Sequence, residues 1–153
     1  MVVRVIEAKE DKVTIADLID DLKKSAKVDY SGAIFTFEGI VRGKEENMNL
    51  KKLILTTPNK EKTLKDIEDI VENTKIKYNV FEMSVIHYIG EFYTGDSLFL
   101  VAVLGGHREE SLNALKEVIE KVKFDVEFKK EEISENGTKT ILAGGWFLSS
   151  PFF

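Results

Sequence analysis

The sequence predicts an α+β fold: a single domain over residues 1–153 with antiparallel strands and three helices. Two observations set the class and a third the domain count. The spacing of apolar residues switches between helical and strand periods without the strict strand–helix alternation of an α/β protein. Tight turns, at Gly95-Asp96 and above all at Asn136-Gly137, join strands that follow one another in the chain. No Pro/Gly-rich linker, internal repeat or low-complexity run divides the 153 residues, the size of one domain.

Val2 to Ala8 reads as a first strand. Thr14 to Ser25 follows as a helix, with Thr14 at the N-cap and Ile15, Leu18, Ile19 and Leu22 along one face. Asp29 to Gly32 is a turn, and Ala33 to Val41 a buried strand rich in β-formers. Gly43 to Asn49 reads as a polar loop, and Leu50 to Thr56 as another strand. Leu64 to Asn73 forms a second helix with Leu64, Ile67, Ile70 and Val71 inward. Phe81 to Ile89 and Ser97 to Leu104 are strands.

The third helix, Glu109 to Lys123, repeats Leu112, Leu115, Val118, Ile119 and Val122 at steps of three and four. Glu109 and Glu110 in its first turn, and Lys121 and Lys123 in its last, suit the helix dipole. After it, Phe124, Val126 and Phe128 alternate with charged residues as in a half-buried strand, and Lys130 falls on their face. A lysine there must snorkel, pair with an acid or line a pocket; snorkelling at the strand's end is the ordinary reading, and the resemblance given below tips the balance to the pocket. The Asn136-Gly137 hairpin then joins 126–133 to 138–143. The tail 144–153 carries Trp146, Phe147, Leu148, Phe152 and Phe153, and is expected to pack on its own domain or, by preference, to cover a partner.

Composition narrows function. The chain is 43% hydrophobic with net charge −5 and no cysteine. Disulfides, thiolate nucleophiles and thiolate metal sites are therefore excluded. Two histidines are too few for a histidine-rich metal centre, so neither a metal nor another cofactor is expected. The acidic balance speaks against nucleic-acid binding. With neither a membrane-length apolar run nor a signal-peptide pattern, no membrane association is expected and the expected location is the cytoplasm. Of 22 basic residues only Arg4, Arg42 and Arg108 are arginine. Arginine's planar fork suits bidentate phosphate binding, although an ordinary ion pair explains an isolated arginine as readily. His107 and Arg108 precede the third helix, where free N–H groups attract anions. His87, within a strand, reads as a hydrogen-bonded structural histidine rather than a catalyst.

Two motifs carry a resemblance. Gly32, Ala33, Phe37, Gly39, Val41 and Arg42 match Gly-Ala-x-x-x-Phe-x-Gly-x-Val-Arg. His107-Arg108 is followed by Lys123 sixteen residues after the histidine, by Lys130 seven later, and by Glu132. Both patterns, at these spacings, resemble the catalytic (large) subunit of molybdopterin synthase, the MoaE family, over about residues 3–141. The resemblance implies an α/β-hammerhead fold and a sulfurtransferase that converts cyclic pyranopterin monophosphate to molybdopterin. Two sulfurs would arrive on the C-terminal Gly-Gly thiocarboxylate of a small ubiquitin-like subunit, with a homodimer of large subunits inside a heterotetramer. It further implies Lys123 and Lys130 as catalytic groups. Substrate contacts would come from Ile40, Val41, Arg42, His107, Arg108, Lys123, Lys130, Glu131 and Glu132, with Arg42, His107 and Arg108 as the phosphate clamp.

The surroundings of these residues differ from the family pattern. Its Pro-x-Trp-Lys is here Glu127-Phe128-Lys129-Lys130, its Glu-x-Tyr is Ile54-Leu55-Thr56, the arginine of its His-Arg-x-Gly turn is Tyr88, and the tryptophan after its last hairpin is Thr140. Two other readings therefore stay open: a non-catalytic module binding the ubiquitin-like carrier, and an unrelated phosphate-binding enzyme.

Helix geometry adds a constraint. Sixteen residues at about 1.5 Å rise put His107 roughly 24 Å from Lys123. One chain cannot close both around a small phosphorylated ligand, so the expected site is composite, with the His107-Arg108 end of one chain facing Lys123 and Lys130 of another.

Overall fold

The computed structural model describes residues 2–46 and 48–144. It begins with β1 (Val2–Glu7), α1 (Ile15–Leu22), a 3-10 turn (Val28–Tyr30) and β2 (Ala33–Ile40). β3 (Lys44–Glu45), β4 (Met48–Thr56), α2 (Lys60–Tyr78), β5 (Glu82–Phe92) and β6 (Ser97–Gly105) follow. α3 (Arg108–Asp125), β7 (Lys129–Ser134) and β8 (Gly137–Leu142) complete it. The α+β class and the three helices are as the sequence predicts.

The sheet is organised on β5 and runs β2-β6-β5-β4-β7-β8, with β1 added to β5 and β3 to β4. Every pairing is antiparallel except β1 with β5. β5 pairs β6 and β1 along most of its length, then hands over to β4 at Gly90–Phe92. Gly90 takes φ +120° at the handover, a conformation glycine adopts without steric cost. Val85, Ile86, Leu100, Val101, Ala102 and Val103 are fully buried, so both faces of β5 and β6 are covered. α2 and α3 pack on one another, and α1 lies against β2, β5 and β6 apart from them. Helices thus cover both faces of the central strands.

Local chemistry explains the helix limits. Thr14 and Asp17 form a reciprocal capping box at α1, as its sequence position suggests. α2 is much longer than its apolar stretch, because Asn59 caps it by accepting from the Lys62 N–H and Asn79, at φ +54°, ends it in the left-handed conformation. Lys62–Asp66 and Lys65–Asp69 pairs support the added turns. Glu117 of α3 takes hydrogen bonds from Lys77 (2.6 Å) and Tyr78 (2.9 Å) of α2. Lys77 above all holds that carboxyl below its usual range.

Three expectations need correction. Phe124 and Asp125 belong to α3, not to a strand: three alternating apolar positions cannot outweigh a helix already running, and Phe124 is left 57% exposed. The strand proper starts at Lys129. The polar loop 43–49 contains β3, a two-residue strand paired with the start of β4. The turn at 29–32 begins earlier, as the 3-10 turn from Val28. The apolar tail lies, beyond Gly144, outside the described residues.

His87 is a structural residue. It is buried in β5, with Nδ1 3.0 Å from the Tyr88 carbonyl oxygen, and its ring stacks on Phe128 at 4.3 Å. Burial pushes its pKa down to about 4. The native ring is therefore neutral between that value and about 6.5, while the unfolded ring binds a proton. Stability rises with pH through this window and falls on acidification. From pH 7 to pH 4 the loss from this residue is about 3 kcal/mol. Urea unfolding at a series of pH values checks it: a His87→Phe chain should lose distinctly less stability over that interval.

Candidate active site

Each proposed site residue is set by the end of an element. β2 and β6 are antiparallel, with Ala33 opposite Gly105 and Ile40 opposite Ser97. The chain leaves β6 for His107 at one end of this ladder, and leaves β2 for Arg42 at the other. Seven residues of strand separate the ends by about 23 Å. α3 then runs back from His107 toward the Arg42 end. Its exit places Phe128 against His87, whose ring also contacts Phe99, and Phe99 lies opposite Gly39. Arg42, Lys123 and Lys130 therefore occupy one end of the molecule, and His107 and Arg108 the other. Within one chain, Arg42 and His107-Arg108 do not form a common clamp.

At the first end His107 is the N-cap of α3 without a side-chain capping bond, and its side chain is 87% exposed. Nδ1 lies 3.3 Å from Glu110, an ion pair only when the ring is protonated. Arg108 opens the helix, where the first-turn N–H groups and the dipole favour an anion. Packing behind this turn is tight. A Cβ at Gly32 would sit 2.5 Å from the Gly106 carbonyl oxygen. Gly32→Ala should therefore displace the His107 turn and cost about 1–3 kcal/mol, read as a lowered urea midpoint.

At the other end Val41 is buried and anchored, its N–H donating to the Asp96 carbonyl (2.9 Å) and its own carbonyl accepting from Gly95 (2.9 Å). Arg42, next in the chain, projects into solvent with its side chain 73% exposed and pairs with Glu45 at 3.1 Å. Neighbouring Ile40 is exposed at a register shift between Gly39 and Ile40. Lys123 is exposed in the last turn of α3, with Nζ 5.3 Å from the Phe124 ring centroid.

Lys130 sits in a defined row. Gly90, Leu55, Lys130 and Ile141 stand opposite one another across four strands, and Phe92, Leu53, Glu132 and Lys139 form the row two residues on. Leu53, Leu55 and Phe92 are core residues, so Lys130 and Glu132 project from the core-facing side of β7. They pair at 3.6 Å, and the Glu132 side chain is only 12% exposed. Glu131 falls on the opposite face, where it pairs with Lys129 at 3.6 Å. Glu131 is thus separated from Lys130 and Glu132 by the strand itself.

The structure adds residues that motif matching missed. Glu45, the partner of Arg42, lines a cleft of about 510 Å³ between the β3–β4 and β7–β8 hairpins together with Glu132, which the motif had already named. Glu45 lies three residues after Arg42, a spacing visible in the sequence. Glu127, in the place of the family's proline, is 3.4 Å from Lys62 and ties the α3–β7 link to α2. Among the described residues no group of acidic or histidine side chains is arranged to hold a metal ion.

The family model described as MoaE protein matches residues 8–125. The chain belongs to the MoaE family. It is 29% identical to the molybdopterin synthase catalytic subunit of Thermoplasma volcanium, over 92% of this chain and 96% of that one. The crystal structure of molybdopterin synthase from Staphylococcus aureus superposes with a TM-score of 0.77 at 25% identity, covering 90% of this chain and 94% of the other. The complex of subunits 1 and 2 of molybdopterin-converting factor from Helicobacter pylori shares the fold, with a TM-score of 0.70 at 23% identity over 98% and 100% of the two chains. No helix of the described MoaE chain is long and apolar enough to cross a membrane.

Proposed function

We propose that this chain is the catalytic subunit of a molybdopterin synthase, one domain working in the cytoplasm with a small ubiquitin-like sulfur carrier. Membership of the MoaE family carries this reading, and the two-ended distribution of the charged residues supports it. The substrate is cyclic pyranopterin monophosphate. At each transfer the carrier's C-terminal thiocarboxylate sulfur bonds to a pyranopterin side-chain carbon as that carbon's C–O bond breaks, the oxygen departing protonated as water or remaining on the phosphate, and water then cleaves the acyl–sulfur bond. The sulfur stays on the pterin and the carrier leaves as its carboxylate. Two such transfers make the dithiolene.

Such chemistry needs an anion clamp, a proton-transfer group beside the reacting carbons, and positive charge where thiocarboxylate and acyl intermediate collect. Lys123 is assigned the proton transfer, with Lys130 beside it and oriented by Glu132. Arg42 of the same chain, with His107 and Arg108 of a second chain, forms the clamp. Both α3 and the β2–β6 ladder separate the two ends by about 23–24 Å, which favours a homodimer with two composite sites inside a heterotetramer.

Single-turnover conversion of the pyranopterin precursor by this chain and a thiocarboxylated carrier is the test. Formation of molybdopterin is expected. Tight carrier binding without any conversion would replace the synthase reading with that of a carrier-binding module.

A further inference from the structure

We propose that His87 is a positioning residue for sulfur transfer, acting through Phe128 on the two lysines. This rests on the synthase reading above and goes beyond His87's place in the core. Lys123 and Lys130 flank a three-residue link, Val126–Phe128, between α3 and β7. What holds this link sets where both amines point. The residues just after β8 hold the link's end and the helix before it: Ala143 donates to the Phe128 carbonyl at 2.9 Å and Gly144 to the Phe124 carbonyl of α3 at 3.0 Å.

From the other side the link is held by rings. Phe128 is buried and lies nearly parallel to His87, with centroids 4.3 Å apart and planes at 19°. His87 is itself locked in the middle of β5, opposite Val5 on one neighbour and Phe99 on the other, with Nδ1 at the Tyr88 carbonyl and Phe99's ring at 5.0 Å. Phe128 and Lys130 are two residues apart on the same face of one extended segment. The tilt of the Phe128 ring is therefore transmitted to the strand from which Lys130 projects. A flat neutral ring fixes that tilt by stacking. A leucine of similar bulk would fill the space and leave the tilt free. Catalytic geometry is sensitive at this scale, because an error of about 1 Å in a reacting group can cost about 100-fold.

The experiment compares native chain, His87→Leu and His87→Phe in complex with the thiocarboxylated carrier. His87→Leu should fold and bind the carrier within about 3-fold of native while its single-turnover rate falls about 10–100-fold, and His87→Phe should restore the rate to within about 3-fold. A second readout needs no turnover: acylation of Lys130 by an amine reagent, followed by peptide mass spectrometry with Lys139 as internal reference. Its relative rate should change at least about 3-fold in His87→Leu and return in His87→Phe. Native rate and labelling in His87→Leu would overturn the proposal, as would a His87→Phe chain no better than His87→Leu. Should the native chain itself fail to turn over, the synthase reading and the role in sulfur transfer fail with it, and the labelling decides only whether His87 sets the position of Lys130.

Discussion

Replacing Lys123 by alanine should lower single-turnover conversion of the precursor by about 10²–10⁴-fold, the usual worth of a positioned proton-transfer group. The fold should be untouched. Lys123 is exposed in the last turn of α3, with Nζ 5.3 Å from the Phe124 ring centroid, and alanine is a better helix former than lysine. The stability change should stay within about 0.5 kcal/mol, so lost activity cannot be put down to unfolding. Carrier binding, measured by calorimetry with the unactivated carboxylate form, should also persist. Equal conversion by native and Lys123→Ala chains would remove Lys123 from the chemistry. Lys130→Ala gives a different signature. It strips the partner from Glu132, a largely buried carboxylate, and so should cost about 1–3 kcal/mol of stability as well as activity. Adding Glu132→Gln should return much of that stability without returning the rate.

The contrast between these lysines shows what the sequence could and could not disclose. The class of fold was legible because α3 carries a helical apolar period and β6 is an unbroken apolar run: both begin and end within about two residues of their expected limits. The inward position of Lys130 was also legible from alternation, since side-chain period two carries through Phe128 to Lys130 and Glu132. Alternation failed at Phe124, where a running helix had the stronger claim on the backbone. The same alternation puts Glu131 on the opposite face from Lys130 and Glu132, although the motif's contact residues take all three together. The largest departure concerns Arg42. A motif puts Arg42 and His107-Arg108 in one inventory, but only the antiparallel β2–β6 register reveals that they sit at opposite ends. Long-range pairing of this kind is invisible to spacing rules, which see neighbours along the chain. Glu45 escaped for a different reason: a glutamate in a polar loop looks like solvent-facing charge until its carboxylate is found on Arg42.

Mixing two inactive variants should restore activity. His107→Ala/Arg108→Ala abolishes the clamp contribution of one end, and Lys123→Ala the chemistry of the other. Each homodimer then lacks a working site. If sites are composite, a mixed dimer holds one site built from both lesions and one built from neither. Random exchange of subunits makes about half the dimers mixed, each with one of two sites intact, so about one quarter of native activity should return. Starting from rates lowered by two orders of magnitude or more, the recovery is large and needs no subtle assay. Mixtures held below the temperature or time at which subunits exchange should stay inactive, which separates true complementation from residual activity of either variant. The same-chain alternative predicts nothing of the kind: each lesion would stay in its own chain's site, and mixing would leave the rate at the average of two inactive proteins. The length of α3 and the direction of the β2–β6 ladder, two independent elements of this chain, both argue for recovery. The helix sets His107 about 24 Å from Lys123 and the ladder sets it about 23 Å from the Arg42 end, spans no single pterin phosphate can bridge.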